Sequence, residues 1–310
     1  MAAMTSRAKR VRPAPRRSLK RILAAYLFIT PSFLGVLIFI AFPVLFALYM
    51  SLQQWDGITT PQFVGLENFA TIFQDSIFWL TLRNTLLYTG VTVFVGVLIS
   101  LGVAQLLSHH VVGMKIFRTA MLIPVVTSPL AVAVIWKWIY DYNNGLINDG
   151  LSLFHIPQIP WLGDPMWALI ALCILGIWMG FGLPTILLMA AIQNVPESLM
   201  EAASIDGATG WRRFWRITVP LISPSILFVT ITSFVSAFQV FAQVYYLTNG
   251  GPDYGTTTLM LLVYQRAFTQ NRYGEAAALS YIMFGIIFLV TLIQLRVSRN
   301  TVNAAAEFES

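Results

Sequence analysis

Few residues in this chain have types and spacing suited to chemistry, and those that do point to docking and passage rather than bond-breaking. The first group is Glu201-Ala202-Ala203-Ser204-Ile205-Asp206-Gly207, followed after nine residues by Ile217-Thr218-Val219-Pro220. Pro196 suits the first position of a short helix because its missing N–H costs nothing there, and Gly207 suits the residue past its end. A helix of about ten residues is marginal alone in water. Set between apolar stretches, with an acid and the small Ala202 and Ala203, it is fitted to dock in a groove and transmit motion. The chain then leads into a second short helix from Thr209, bearing Trp211, Arg212, Arg213 and Arg216.

The second group lies in a window without charge. Ser233, Ser236, Gln239 (or Val240) and Gln243 recur at three to four residues and share a helix face, with Thr230 and Thr232 nearby. Uncharged polar groups in hydrocarbon are costly unless they face a cavity or a partner helix. Upstream, Trp178, Gly180 and Gly182 set an indole beside open backbone. Catalytic and metal groupings are not indicated. Cys173 is the single cysteine, His109 and His110 sit at a helix end, His155 is remote, and no G-x-x-x-x-G-K-[ST] nucleotide loop occurs.

The elements that must position these groups follow from composition. Hydrophobic residues make up 57% of the 310 and charged residues only 10%, far below the roughly 25% charged of a soluble domain. The charge-free stretches run 22–55, 84–108, 119–136, 165–196, 217–252 and 276–295. A crossing needs roughly 20 apolar residues. Six helical spans are therefore expected, near 22–50, 84–108, 117–139, 167–192, 218–243 and 276–297. Pro31, Pro43, Pro124, Pro129, Pro184, Pro220 and Pro224 fall in or beside them and are expected to kink or interrupt helices. The tail holds Arg7, Lys9, Arg10, Arg12, Arg16, Arg17, Lys20 and Arg21 with no acid. With that tail inside, 15 of the 19 basic residues are cytoplasmic, leaving Arg83, Lys137, Arg266 and Arg272 outside. The positive-inside rule thus sets both termini in the cytoplasm, and the tail reads as a topology and lipid-surface signal, not a nucleic-acid site.

The pattern E-A-A, three residues, G, nine residues, I-x-L-P resembles the signature of permeases in binding-protein-dependent ABC importers, with Val219 where Leu is usual. Glu275-Ala276-Ala277 repeats the tripeptide without the rest of the pattern. Trp55-Asp56-Gly57, Val64-Gly65-Leu66-Glu67-Asn68-Phe69 and Gly250-Gly251-Pro252 with Thr256-Thr257-Thr258 are similar to the first permease subunit of maltose-, lactose- or glycerol-phosphate-type systems.

The resemblance implies an all-α integral membrane fold of six helices with type I ABC importer permease architecture. It divides the chain into a basic cytoplasmic tail (1–21), a permease domain (22–300) with its coupling loop at 193–217, and a cytoplasmic C-terminal tail (301–310). It implies a carbohydrate or sugar-phosphate-like solute, a bacterial plasma membrane, a heterodimer with a sister permease, two ATPase subunits and an extracytoplasmic solute-binding protein. ATP and Mg would be used by the ATPase, with no cofactor on this chain, which is not itself an enzyme. By the same likeness Glu201, Ala202, Ala203, Asp206 and Gly207 serve ATPase coupling within the 196–220 loop. Gly180, Ser233, Ser236 and Gln239 serve the solute pathway, while Leu183, Ala237 and Val240 depart from the maltose-type pattern. The alternative reading of six such spans is an ion-coupled secondary transporter, which usually carries ionisable relays in the membrane; the six windows hold none.

Overall fold

The computed structural model describes residues 19–108 and 113–307, so the stretch 1–18 and the His109-His110 pair lie outside the described residues. Helices dominate, and the described strands form one antiparallel hairpin, Gln53–Gln54 with Gln62–Phe63. Four helical runs are long and apolar enough to cross a membrane: Tyr26–Ser51 (span 1), Ser76–Leu107 (span 2), Ser223–Leu247 (span 5) and Tyr273–Val297 (span 6). Two bent pairs complete six crossings: Ile116–Val126 with Pro129–Ile139 at 97° (span 3), and Pro165–Gly180 with Gly182–Gln193 at 46° (span 4).

Span 3, expected over 117–139 with Pro124 and Pro129 kinking or interrupting it, is interrupted between Val126 and Pro129. Ser128 precedes Pro129, and proline drives its predecessor out of the helical region; Thr127 and Ser128 have ψ of 142° and 127°. Each half rises about 16 Å, so at this bend the pair reaches only about 22 Å of the roughly 30 Å hydrocarbon layer. It nevertheless crosses. Gly182 sits against the Met121 carbonyl, and the Tyr140 hydroxyl donates to the Ala171 carbonyl at 2.9 Å. The two halves thus meet span 4 at Gly182 and Ala171, in antiparallel order. Span 2 begins earlier than its charge-free window because the Asp75 side chain caps the helix, accepting from the Ile77 N–H at 2.9 Å, and Arg83 stays exposed.

The chain forms two compact units, one through Tyr49 and one from Met50 onward. In the first, the helix passes through a π-turn at Leu37–Ala41 directly before Pro43, where the proline ring cannot accommodate an ordinary i−4 bond. Its apolar side chains remain exposed, as befits a helix solvated by hydrocarbon.

In the second unit, a buried cluster of Leu101, Leu188, Met189, Phe214 and Val229 locks spans 2, 4 and 5 near one end. Phe78, Phe234, Phe238, Leu259 and Leu279 lock spans 2, 5 and 6 toward the other. That second end also carries an ion cluster. Arg266 pairs with Asp75 and, at 3.3 Å, with Glu275, joining the starts of spans 2 and 6; the three side chains are only 13–22% exposed. Arg266→Met should cost about 3 kcal/mol because it strands the largely buried Asp75 carboxylate and leaves Glu275 only the exposed Arg272. Arg272, whose side chain is 53% exposed, also reaches Glu275, yet Arg272→Met should cost under about 1 kcal/mol. Melting of the detergent-solubilised variants checks this, and equal shifts for the two would refute it.

Candidate translocation cavity and docking helix

Span 5 is not one continuous helix. Its main segment, Ser223–Phe238, stops at Gln239 and resumes as Ala242–Leu247. The broken stretch borders a cavity of about 560 Å³, within the usual range for small-molecule sites. Ser233, Ser236 and Gln239 all line it, with Gln243 beyond the break and Gly180 of span 4 across from them. All four residues expected on a solute path are thus brought to one space. A Cβ built on Gly180 meets nothing within 4 Å, so that position faces open volume rather than packed neighbours. Pro184, also in the wall, has no N–H for the carbonyl four residues back, which is that of Gly180. The adjacent carbonyl at the bend, Phe181, is satisfied by the hydroxyls of Thr185 at 2.7 Å and Ser100 at 3.1 Å.

Tyr88, Thr92 and Gly96 of span 2 complete the wall and were not among the expected residues. The signal was present: Thr81, Thr85, Thr89, Thr92 and Ser100 place hydroxyls along one face of span 2 at helical spacing, and all are buried. Trp178, expected beside Gly180, is not in the wall; its indole packs on Trp136 of span 3 at 5.5 Å. One residue turns a helix by about 100°, which carries positions 178 and 180 to opposite sides. Leu183, Ala237 and Val240 give the wall apolar patches between the hydroxyls and amides.

The Gly-Gly-Pro loop has a physical task at this break. Thr258 donates to the Val240 carbonyl at 3.1 Å, pinning the non-helical turn of span 5. Thr257 donates to the Gly250 carbonyl at 3.0 Å, and Thr256 to the Gly251 carbonyl at 2.7 Å. Gly250 has φ +86°, and a Cβ there would lie 2.5 Å from the Thr257 hydroxyl, so glycine is required on both counts. Asn84 of span 2 donates to the Tyr254 carbonyl at 2.9 Å. The three threonines are fully buried; the Thr258 hydroxyl ties the loop to the cavity wall, and those of Thr256 and Thr257 brace the loop itself. Thr258→Val, which keeps shape and removes the donor, should cost about 1–3 kcal/mol. A circular-dichroism melt matching wild type would exclude that role.

At the opposite end of spans 2, 4 and 5, a helix spans Glu197–Ile205. Pro196 is its N-cap, with ψ 130°, one position earlier than expected. Gly207 at φ +75° closes it: the Gly207 N–H bonds the Ser204 carbonyl and the Ala208 N–H bonds the Ala203 carbonyl, a Schellman end. Ala203 is buried inward, whereas Glu201, Ala202 and Asp206 face out. Ile205 is 87% and Trp211 74% exposed beside them. A second cavity, about 820 Å³, runs behind the helix among Gln105, Arg118, Glu197, Glu201 and Arg213. From Gly210 the backbone stays nearly helical through a π-turn at Phe214–Thr218 into Ser223–Phe238. The docking helix and the cavity wall are therefore linked by short, packed helical segments, braced where Phe214 and Val229 meet Leu188 and Met189.

Residues 96–303 match the model of a family described as binding-protein-dependent transport system inner membrane component. The chain is 34% identical to the sulfoquinovosyl glycerol transport system permease protein of Agrobacterium fabrum, covering 89% of this chain and 91% of that one. It is also 34% identical to the trehalose/maltose transport system permease protein of Thermococcus litoralis, over 88% of this chain and 93% of the relative. Among solved structures, a chain of a bacterial alginate ABC transporter, crystallised with its alginate pentasaccharide-bound periplasmic protein, superposes with a TM-score of 0.80 at 24% identity. That likeness covers 91% of this chain and 96% of the other and carries the six-span type I fold. With the family match covering the Glu197–Ile205 helix and all of the cavity wall from Gly96 onward, the chain belongs to the inner-membrane permease components of binding-protein-dependent ABC transport systems.

Proposed function

We propose that this permease imports a carbohydrate or sugar-phosphate-like solute through the 560 Å³ cavity, driven by ATP hydrolysis on a separate subunit docked at Glu197–Ile205. The observation that carries the reading is the cavity wall itself, where Ser233, Ser236, Gln239 and open backbone at Gly180 alternate with Leu183 and Val240. Such a wall suits a solute with hydroxyl edges and apolar ring faces, and the names of the relatives point to the same chemistry. In this reading the partners are a sister permease, two ATPase subunits that bind ATP and Mg, and an extracytoplasmic solute-binding protein. Glu201, Ala202, Asp206 and the Gly207 cap meet the ATPase, with Ala203 holding the helix in place. The protein lies in a bacterial plasma membrane with both termini cytoplasmic, following the basic residues.

Two measurements test this. The tagged permease should co-purify with an ATPase, and a ring sugar should raise the melting temperature of the cognate binding protein; purification with no ATPase would sink the proposal. Topology is tested by cysteine labelling. In a Cys173→Ser background, Asp149→Cys should react with an impermeant reagent from outside, and labelling only from the cytoplasm would refute the orientation.

A further inference from the structure

A row of aromatic rings leads from the transmembrane cavity into a separate pocket. Phe241, at the break in span 5, lines the cavity and stacks on Tyr245 with centroids 5.3 Å apart and planes 20° apart. Tyr264 meets both rings, 5.0 Å from Phe241 and 5.3 Å from Tyr245. The two tyrosines help line a pocket of about 330 Å³ at the end away from the docking helix, with Tyr254, Asn249, Gln265 and Gln270. From Tyr264 the row continues through Phe268 and Tyr273 to Trp55.

The chemistry of this pocket is specific. Its cation, Arg266, is held by Asp75 and Glu275 and is not free to select a charged ligand. What remains is flat aromatic surface flanked by side-chain amides. Aromatic faces match the C–H face of a pyranose, and amides match its hydroxyl edge. A bilayer aromatic belt accounts for single rings at the headgroup level, but not for a concave, amide-rimmed site joined to the cavity.

We propose that this pocket is an outer sugar-binding subsite, where a pyranose ring stacks on Tyr245 and Tyr264 before passing Phe241 into the cavity. The proposal rests on the carbohydrate reading above and adds a location and a recognition mode to it.

The test is saturation-transfer NMR on the complete transporter in nanodiscs, with trehalose and lactose as ring probes and glycerol 3-phosphate as a ringless control. Ring protons should receive saturation in the wild type and still in Gly180→Trp, which fills the cavity below. The pair Tyr245→Ala/Tyr264→Ala should weaken the Gly180→Trp signal by about tenfold, as expected for losing two ring faces. Tyr245→Phe/Tyr264→Phe should retain it. A signal lost in Gly180→Trp but kept in the double Ala variant overturns the subsite while leaving carbohydrate import intact. Transfer to glycerol 3-phosphate alone, with neither ring probe bound, overturns the subsite and leaves the sugar-phosphate-like half of the import reading standing. Loss of the sister permease from the purified double Ala variant would assign these rings to subunit packing and likewise overturn the subsite.

Discussion

Glu201→Lys should leave the permease folded and assembled in the membrane yet cut solute-stimulated ATP hydrolysis by about 100-fold, the upper range of a coupling energy between sites. Glu201 is exposed on a nine-residue helix whose fold depends on its own Schellman end and on the inward Ala203. The substitution therefore changes what the helix presents rather than whether it forms. A cation placed against a surface built to receive an anion costs several kcal/mol through like-charge juxtaposition. The short helical segments running from Gly210 into span 5 would then have nothing to transmit. Purified mutant complex that hydrolyses ATP at the wild-type stimulated rate would show that Glu201 takes no part in coupling.

Gly180→Trp should lower uptake by more than about tenfold while preserving assembly and basal ATP hydrolysis. The Gly180 Cβ position meets nothing within 4 Å and borders the cavity, so an indole built from it starts into open volume. An indole set into the 560 Å³ cavity beside Ser233 and Gln239 takes room and polar contacts from a ring solute. Gly182→Val, two residues on, is the informative contrast. Its Cβ would run into the Met121 carbonyl of span 3, so that variant should lose assembly as well as uptake. Wild-type transport by Gly180→Trp would place the solute path elsewhere.

Much of this architecture was legible because hydrocarbon is an unforgiving solvent. Charge-free windows marked all six crossings, and the docking helix was bounded by Pro196 and Gly207, whose backbone roles are local. Ser233, Ser236 and Gln239 could be read as one face because helical periodicity alone fixes it. What sequence did not reveal depended on tertiary contact. The break at Gln239–Phe241 is held by Thr258, eighteen residues away, through the Val240 carbonyl. The 97° bend in span 3 needed more than two prolines, since Pro31 lies within a helix that continues through it. The share of span 2 in the cavity wall was hidden because threonines in membrane helices so often bond their own backbone, as Thr92 does with the Tyr88 carbonyl at 2.7 Å.

The central claim is that a solute crosses at the Gly180–Ser233–Gln239 cavity under ATP power supplied through Glu197–Ile205. Its most direct test is uptake of a labelled ring sugar, chosen by binding-protein stabilisation, into proteoliposomes holding the complete transporter. Accumulation should require ATP on the side of the Glu197–Ile205 helix, persist when proton and sodium gradients are collapsed, and disappear in both Glu201→Lys and Gly180→Trp. Accumulation driven by an imposed ion gradient without ATP would contradict the claim.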